Sequence, residues 1–121
     1  MSSQRETVEI IDKLLELTQL DQLIWKSTEP PYSLTNGDVR VQLVYITQYL
    51  NKNIRIYQQE YKYFVDESQF HWQSRMVFEF IDLSDNVLWT FPKTENAWDL
   101  LKAIQYKNSQ VNDFYKSMFG K

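Results

Sequence analysis

The sequence has no cysteine in its 121 residues, which rules out disulfides, thiolate zinc sites and thiol catalysis. It has only two glycines, Gly37 and Gly120. A glycine-rich phosphate cradle needs several close together, so that class of site is excluded as well. Histidine occurs once, as His71. No apolar run exceeds five residues, far short of a membrane span. The N-terminal stretch MSSQRETVEIIDKLLEL is acidic and mixed in charge, where a secretory leader needs a basic flank and an apolar run. The expected setting is therefore cytoplasmic. Excess basic charge is missing too. With 13 Lys and Arg against 16 Asp and Glu the net charge is -3, and nothing general draws the chain to nucleic acid or anionic lipid.

What is abundant is aromatic: 4 Trp, 8 Tyr and 7 Phe, 16% of the chain. The hydrophobic and charged fractions, 43% and 24%, are those of an ordinary globular protein. A chain of this length suits one domain and buries roughly two-thirds of the surface its unfolded form exposes.

Periodicity divides the chain into helix, strands and helices. Ser3 with Glu6 three residues on has the form of a capping box and starts a helix ending near Gln19. Val8, Ile11, Leu15 and Thr18 form its stripe, with Ile10, Leu14 and Leu17 beside it. Leu23 to Trp25 reads as a short strand, broken by Glu29-Pro30-Pro31. Asn36-Gly37 is the strongest turn dipeptide and suggests a hairpin. From Asp38 to Phe91 the period becomes two. Val39, Val41, Leu43 and Tyr45 predict one strand, and Asn51-Lys52-Asn53 a turn. In the next strand the apolar positions move from even to odd near Tyr57, which predicts a bulge there. Asp66-Glu67-Ser68 turns into a strand with Phe70, Trp72, Met76, Phe78 and Phe80 on one face. Ser84-Asp85-Asn86 then leads to Val87, Trp89 and Phe91. Thr94 is the expected N-cap of a second helix with Ala97, Leu101 and Ile104 buried and Trp98 alongside. Asn108-Ser109 separates it from a last short helix bearing Phe114, Tyr115, Met118 and Phe119, ended by Gly120. The reading is an α+β fold: a single antiparallel sheet of four to six strands, a meander, with an N-terminal helix and two C-terminal helices packed on it.

The segments LLELTQLDQLIW, FEFIDLSDNVLW and LLKAIQYKNSQVNDFYKSMF, in that order, resemble a widespread set of small uncharacterised bacterial α+β proteins. The resemblance implies the same element order. It implies no activity and carries over no catalytic residue.

No catalytic, cofactor or metal constellation stands out, and the reading leans away from an enzyme. His71 would need an orienting carboxylate such as Asp66 or Glu67 to act as a base. Asp82, Ser84 and Asn86 alternate like the start of a calcium loop but lack its glycine and closing glutamate, and an acidic turn explains them. Lys52, Arg55, Lys62 and Arg75 among tyrosines could meet single-stranded nucleic acid, against the overall acidity. Trp25, Trp72, Trp89 and Trp98 are expected to line the core. Tyr45, Tyr49, Tyr57, Tyr61 and Tyr63, with His71, are expected to form an exposed interaction surface for a protein partner or a second copy. The alternative is a small-ligand domain with an aromatic pocket lined by Trp72 and Trp89. The C-terminal aromatic stripe is expected to close the domain's own core, with partner binding as its alternative.

Overall fold

The computed structural model describes residues 3–120. Helix α1 (Gln4–Gln19) is followed by strands β1 (Lys26–Thr28), β2 (Val39–Arg40), β3 (Val44–Tyr49), β4 (Lys52–Phe64), β5 (Phe70–Ile81) and β6 (Val87–Thr90), then helices α2 (Asn96–Ser109) and α3 (Val111–Phe119). A 3-10 turn, Tyr32–Leu34, interrupts the connection after β1. The six strands form one antiparallel sheet in the order β1-β3-β4-β5-β6, with β2 also on β4. This is the expected α+β architecture.

Helix α1 begins as its cap predicts: Ser3 Oγ accepts from the Glu6 amide at 3.1 Å. Its buried stripe runs through Thr7, Ile11, Leu14, Leu17 and Thr18; four of these are the expected ones, whereas Val8 is exposed and Leu15 only partly buried. Together with α2 it covers one face of the sheet. Ile54 and Ile56 of β4, Met76 and Phe78 of β5, Tyr45 of β3 and Phe91 pack there against Leu14, Leu100 and Ile104. These β4 and β5 positions are even-numbered, because their register pairs even with even from Asn53↔Ile81 to Phe64↔Phe70.

Several local expectations are corrected. Leu23–Trp25 is not a strand. Its polar groups are taken by side chains instead: the Thr47 hydroxyl donates to the Ile24 carbonyl at 2.7 Å, and the Asn108 amide to that of Trp25 at 3.2 Å. The Trp25 indole donates to Thr18 Oγ1 at 2.9 Å, and that hydroxyl donates to the Leu14 carbonyl at 2.7 Å. Pairing with the sheet starts only at Lys26. The predicted strand Val39–Tyr45 is split. Its residue sums against β4 change from 100 (Val39↔Tyr61) to 101 (Tyr45↔Ile56), so one extra residue lies between Arg40 and Tyr45. The bulge expected at Tyr57 therefore sits in the facing strand. The parity switch in β4 has another cause: Ile54, Arg55, Ile56 and Tyr57 are all buried, because both faces are covered at that point. A second small cluster of Val41, Val44 and Tyr57, with Leu34, Ile46 and Val77 against it, fills the face away from the helices.

Turn chemistry is also redistributed. The two-residue hairpin turn is Leu50-Asn51, both in the left-handed region (φ 49° and 65°), between paired Tyr49 and Lys52. At Asn36-Gly37 there is only an isolated bridge, Asn36↔Val39, with Asn36 Oδ1 accepting from the Asp38 amide at 2.7 Å. Thr94 does not cap α2. Its hydroxyl donates to Asn96 Oδ1 at 2.6 Å, and Glu95 occupies the cap position. The break between α2 and α3 falls on Gln110 (φ 59°), one residue past Asn108-Ser109.

Candidate functional site

The five tyrosines expected to share a surface do not. Tyr45 and Tyr49 lie on the helix-covered face, since Tyr45 pairs with Ile56 and Tyr49 with Lys52. Tyr57, Tyr61 and Tyr63 lie on the other face. Tyr45 and Tyr57 are buried, at 8% and 3% exposure, whereas Tyr63 is half exposed. The tryptophans diverge from expectation in part. Trp25 is buried and Trp98 packs partly buried against the same core, as expected, whereas Trp89 on edge strand β6 is exposed. Trp72 lies on the far part of the β4–β5 hairpin, beneath the Arg40 guanidinium at 3.8 Å from the ring centre. The expected aromatic pocket between Trp72 and Trp89 is accordingly not what these residues build.

His71 is exposed near the end of the β4–β5 arm. Its ring lies 5.2 Å from that of Tyr63, and its Nε2 is 3.1 Å from the Gln73 side-chain amide. The carboxylate suggested as its orienter, Asp66, is committed to its own turn: Oδ1 accepts from the amides of Ser68 and Gln69 at 2.8 and 2.9 Å. Those hydrogen bonds, the Ser68 amide first, hold the Asp66 carboxyl below the usual range. Asp82 behaves in the same way. It accepts from the Asn86 amide at 2.9 Å, from the Asn86 side chain at 3.1 Å and from the Ser84 amide at 2.8 Å, and these bonds, those from Asn86 first, lower its pKa. Its oxygens close an acidic turn instead of converging on a cation.

The four basic residues do not form one free face: Arg55 and Lys62 meet carboxylates, Arg75 Nε donates to Gln59 Oε1, and Lys52 Nζ lies 5.8 Å over the Phe80 ring. Arg40 Nε lies 3.4 Å from Glu60 and Lys62 Nζ 3.6 Å from Asp38. Lys62 also stands 4.4 Å over the Phe70 ring, and Arg75 4.7 Å over that of Tyr61. Arg55 is fully buried on the face away from the helices. Its Nε and Nη2 share one oxygen, Glu79 Oε2, at 2.7 and 2.5 Å. Only Nε makes a hydrogen bond; Nη2 is in ion-pair contact alone, and Nη1 has no hydrogen-bond partner, with Asp85 Oδ1 3.7 Å away. Burial raises the Glu79 carboxyl pKa although Arg55 opposes it. Burial, reinforced by the Glu79 charge, pushes the Tyr57 phenol up to about 12. An isolated arginine between two isoleucines was the sequence's only hint of this pair.

Helix α3 overturns the expectation that its stripe closes the core. No residue of the helix is buried. Val111, Phe114, Tyr115, Met118 and Phe119 are 45–65% exposed, and the Tyr115 and Phe119 rings pair only with each other, 4.9 Å apart. Their spacing of i, i+3, i+4, i+7 and i+8 places them on one side of the helix. This leaves an apolar patch on the order of 500 Å² of aromatic and aliphatic surface, at the upper end of what monomers expose.

Among the described residues no group of three or more His, Cys, Asp or Glu side chains is arranged to hold a metal ion. No helix among them is long and apolar enough to cross a membrane. No family model, no curated protein and no solved structure matches the chain.

Proposed function

We propose that this chain is a non-enzymatic, cytoplasmic protein-interaction module whose contact element is α3. One observation carries the reading: the helix has five large apolar residues on one side and buries none of them. At nine residues α3 is shorter than the ~12–15 at which isolated helices become even marginally stable in water. The stripe gains its stabilising burial when something covers it. A helix with this spacing fits the apolar groove of a protein partner, with its aromatic residues as anchors. A flat twofold contact between two copies through α3 alone would bury less than the ~800 Å² per partner of stable interfaces. A groove wraps more of the helix and is the better match. Charge argues in the same direction: Asp113 and Lys116 are its two charged side chains, so the helix lacks the basic face of a membrane-surface helix.

The test places a photo-crosslinking amino acid at Val111, on the stripe itself, in the full chain in its native host. The expected result is one discrete protein adduct that disappears in Phe114→Glu/Met118→Glu, while the circular-dichroism melt of the variant is unchanged. Failure to form any adduct would overturn the reading. So would an adduct that survives the double variant, or α3-dependent flotation with phosphatidylserine vesicles.

A further inference from the structure

Where the β4–β5 arm leaves the helical layer, a cleft of about 160 Å³ opens between β4, the β2–β3 bulge and α2. Gln58 and Glu60 of β4 form one wall, Gln105 of α2 another, and Gln42 of the bulge a third. Tyr45, Leu43 and Leu101 supply the apolar surface between them. The extra residue between Arg40 and Tyr45 lies in this same stretch and bends the chain locally.

Tyr45 makes this more than a surface dent. The residue is 8% exposed, its phenol takes part in none of the side-chain hydrogen bonds among the described residues, and that hydroxyl is not one of the buried atoms left without a partner, so it reaches solvent at the cleft. Here the side chain lines the cleft. Around it the polar inventory is rich in free acceptors. Gln58 donates its amide to Ser74 Oγ at 3.1 Å, which leaves its carbonyl oxygen available. Glu60 has one oxygen near Arg40, 3.4 Å away, which balances its charge and leaves the other oxygen. Gln42 and Gln105 each bring a donor and an acceptor.

We infer that this cleft binds a small, uncharged, polyhydroxylated molecule no larger than a single sugar ring. Carboxamides and a carboxylate accept from adjacent hydroxyls, the Tyr45 phenol donates to a ligand oxygen, and Leu43, Leu101 and the Tyr45 ring pack against the C–H face. Neutralisation of Glu60 by Arg40 removes the reason for a cation. The volume lies below the ~300–1,000 Å³ of drug-sized pockets and limits the ligand to a compact molecule. The inference does not depend on α3 and stands or falls separately from the interaction reading.

The experiment titrates D-glucose, D-galactose and myo-inositol, each into the ¹⁵N-labelled full chain, and follows the side-chain amide resonances of Gln42, Gln58 and Gln105. Expected is a saturable shift of these signals with at least one of the three. Tyr45→Phe should weaken it roughly fivefold, the worth of one hydrogen bond, with no loss of stability because the phenol has no protein partner. Gln105→Trp, at an exposed position of α2, should fill the cleft and abolish the shift while the backbone spectrum stays dispersed. The inference is overturned if none of the three compounds gives a saturable shift, or if the shift persists in Gln105→Trp. Saturation by ethylammonium at lower concentration than any of the three would also overturn it, since the site would then select charge.

Discussion

Arg55 and Glu79 face each other across the β4–β5 register, both fully or nearly fully buried, with two guanidinium nitrogens on a single carboxylate oxygen. One-oxygen contact leaves Arg55 with a single hydrogen bond, from Nε, and both Nη atoms without one. Desolvation of two charges consumes most of what their attraction returns. Removing one partner is a different matter, because the other charge is then buried alone. Glu79→Leu is expected to cost about 3–5 kcal/mol in urea denaturation, and Arg55→Met/Glu79→Leu to recover most of that loss.

The same carboxyl gives stability a pH dependence of definite sign. The folded Glu79 pKa is raised above its ordinary 4.5, so folding favours the protonated acid. That contribution is present below pH 4.5 and is lost as pH rises through the raised value. Denaturation midpoints measured upward from pH 4.5 should show a falling component in the parent that is missing in Glu79→Gln.

Tyr57 extends this to alkaline pH. Its phenol is buried beside Glu79, and its pKa moves from 10.0 to about 12. The neutral phenol is therefore favoured by the fold, and its contribution, about 2–3 kcal/mol for such a shift, is full below pH 10 and lost as pH rises through 12. Ultraviolet titration at the tyrosinate band should show one phenol ionising after the exposed ones. Tyr57→Phe should remove that step and flatten the fall in stability between pH 10 and 12.

Element order, both helices of the core and the long hairpin were legible because hydrophobic period is a backbone-scale signal that burial enforces. What failed to read through was what covers each face. In β4, Ile54 to Tyr57 looked like a slip of register, although the strand is regular and simply buried on both sides. Tyr45 and Tyr57 looked alike on composition but sit on opposite faces. The stripe of α3 has the periodicity of a core helix and no core to face. The cleft at Tyr45 depends on a bulge and on α2 meeting β4, neither of which leaves a local mark in the chain.

The turn at Leu50-Asn51 places a leucine at φ 49°, where an L side chain crowds the backbone. Leu50 is 77% exposed, so its side chain brings little packing in return. Leu50→Asn combined with Asn51→Gly supplies the residues that a type I′ turn favours. The double variant should gain about 1 kcal/mol in the denaturation midpoint. Gly37, with no backbone strain to relieve and open space around its Cα, should tolerate Gly37→Ala without loss.

Helix α3 and helix α2 should respond oppositely to the same kind of damage. Leu100 is fully buried between α1 and the sheet, and Leu100→Ala is expected to cost about 2–5 kcal/mol through lost burial and the cavity left behind. Phe114, 65% exposed, contributes no comparable packing within the chain. Phe114→Ala should therefore shift the denaturation midpoint by less than about 0.5 kcal/mol, the scale of ordinary surface changes. If Phe114→Ala costs as much as Leu100→Ala, the stripe is packed in solution against the chain's own core, and α3 is not free to meet a partner.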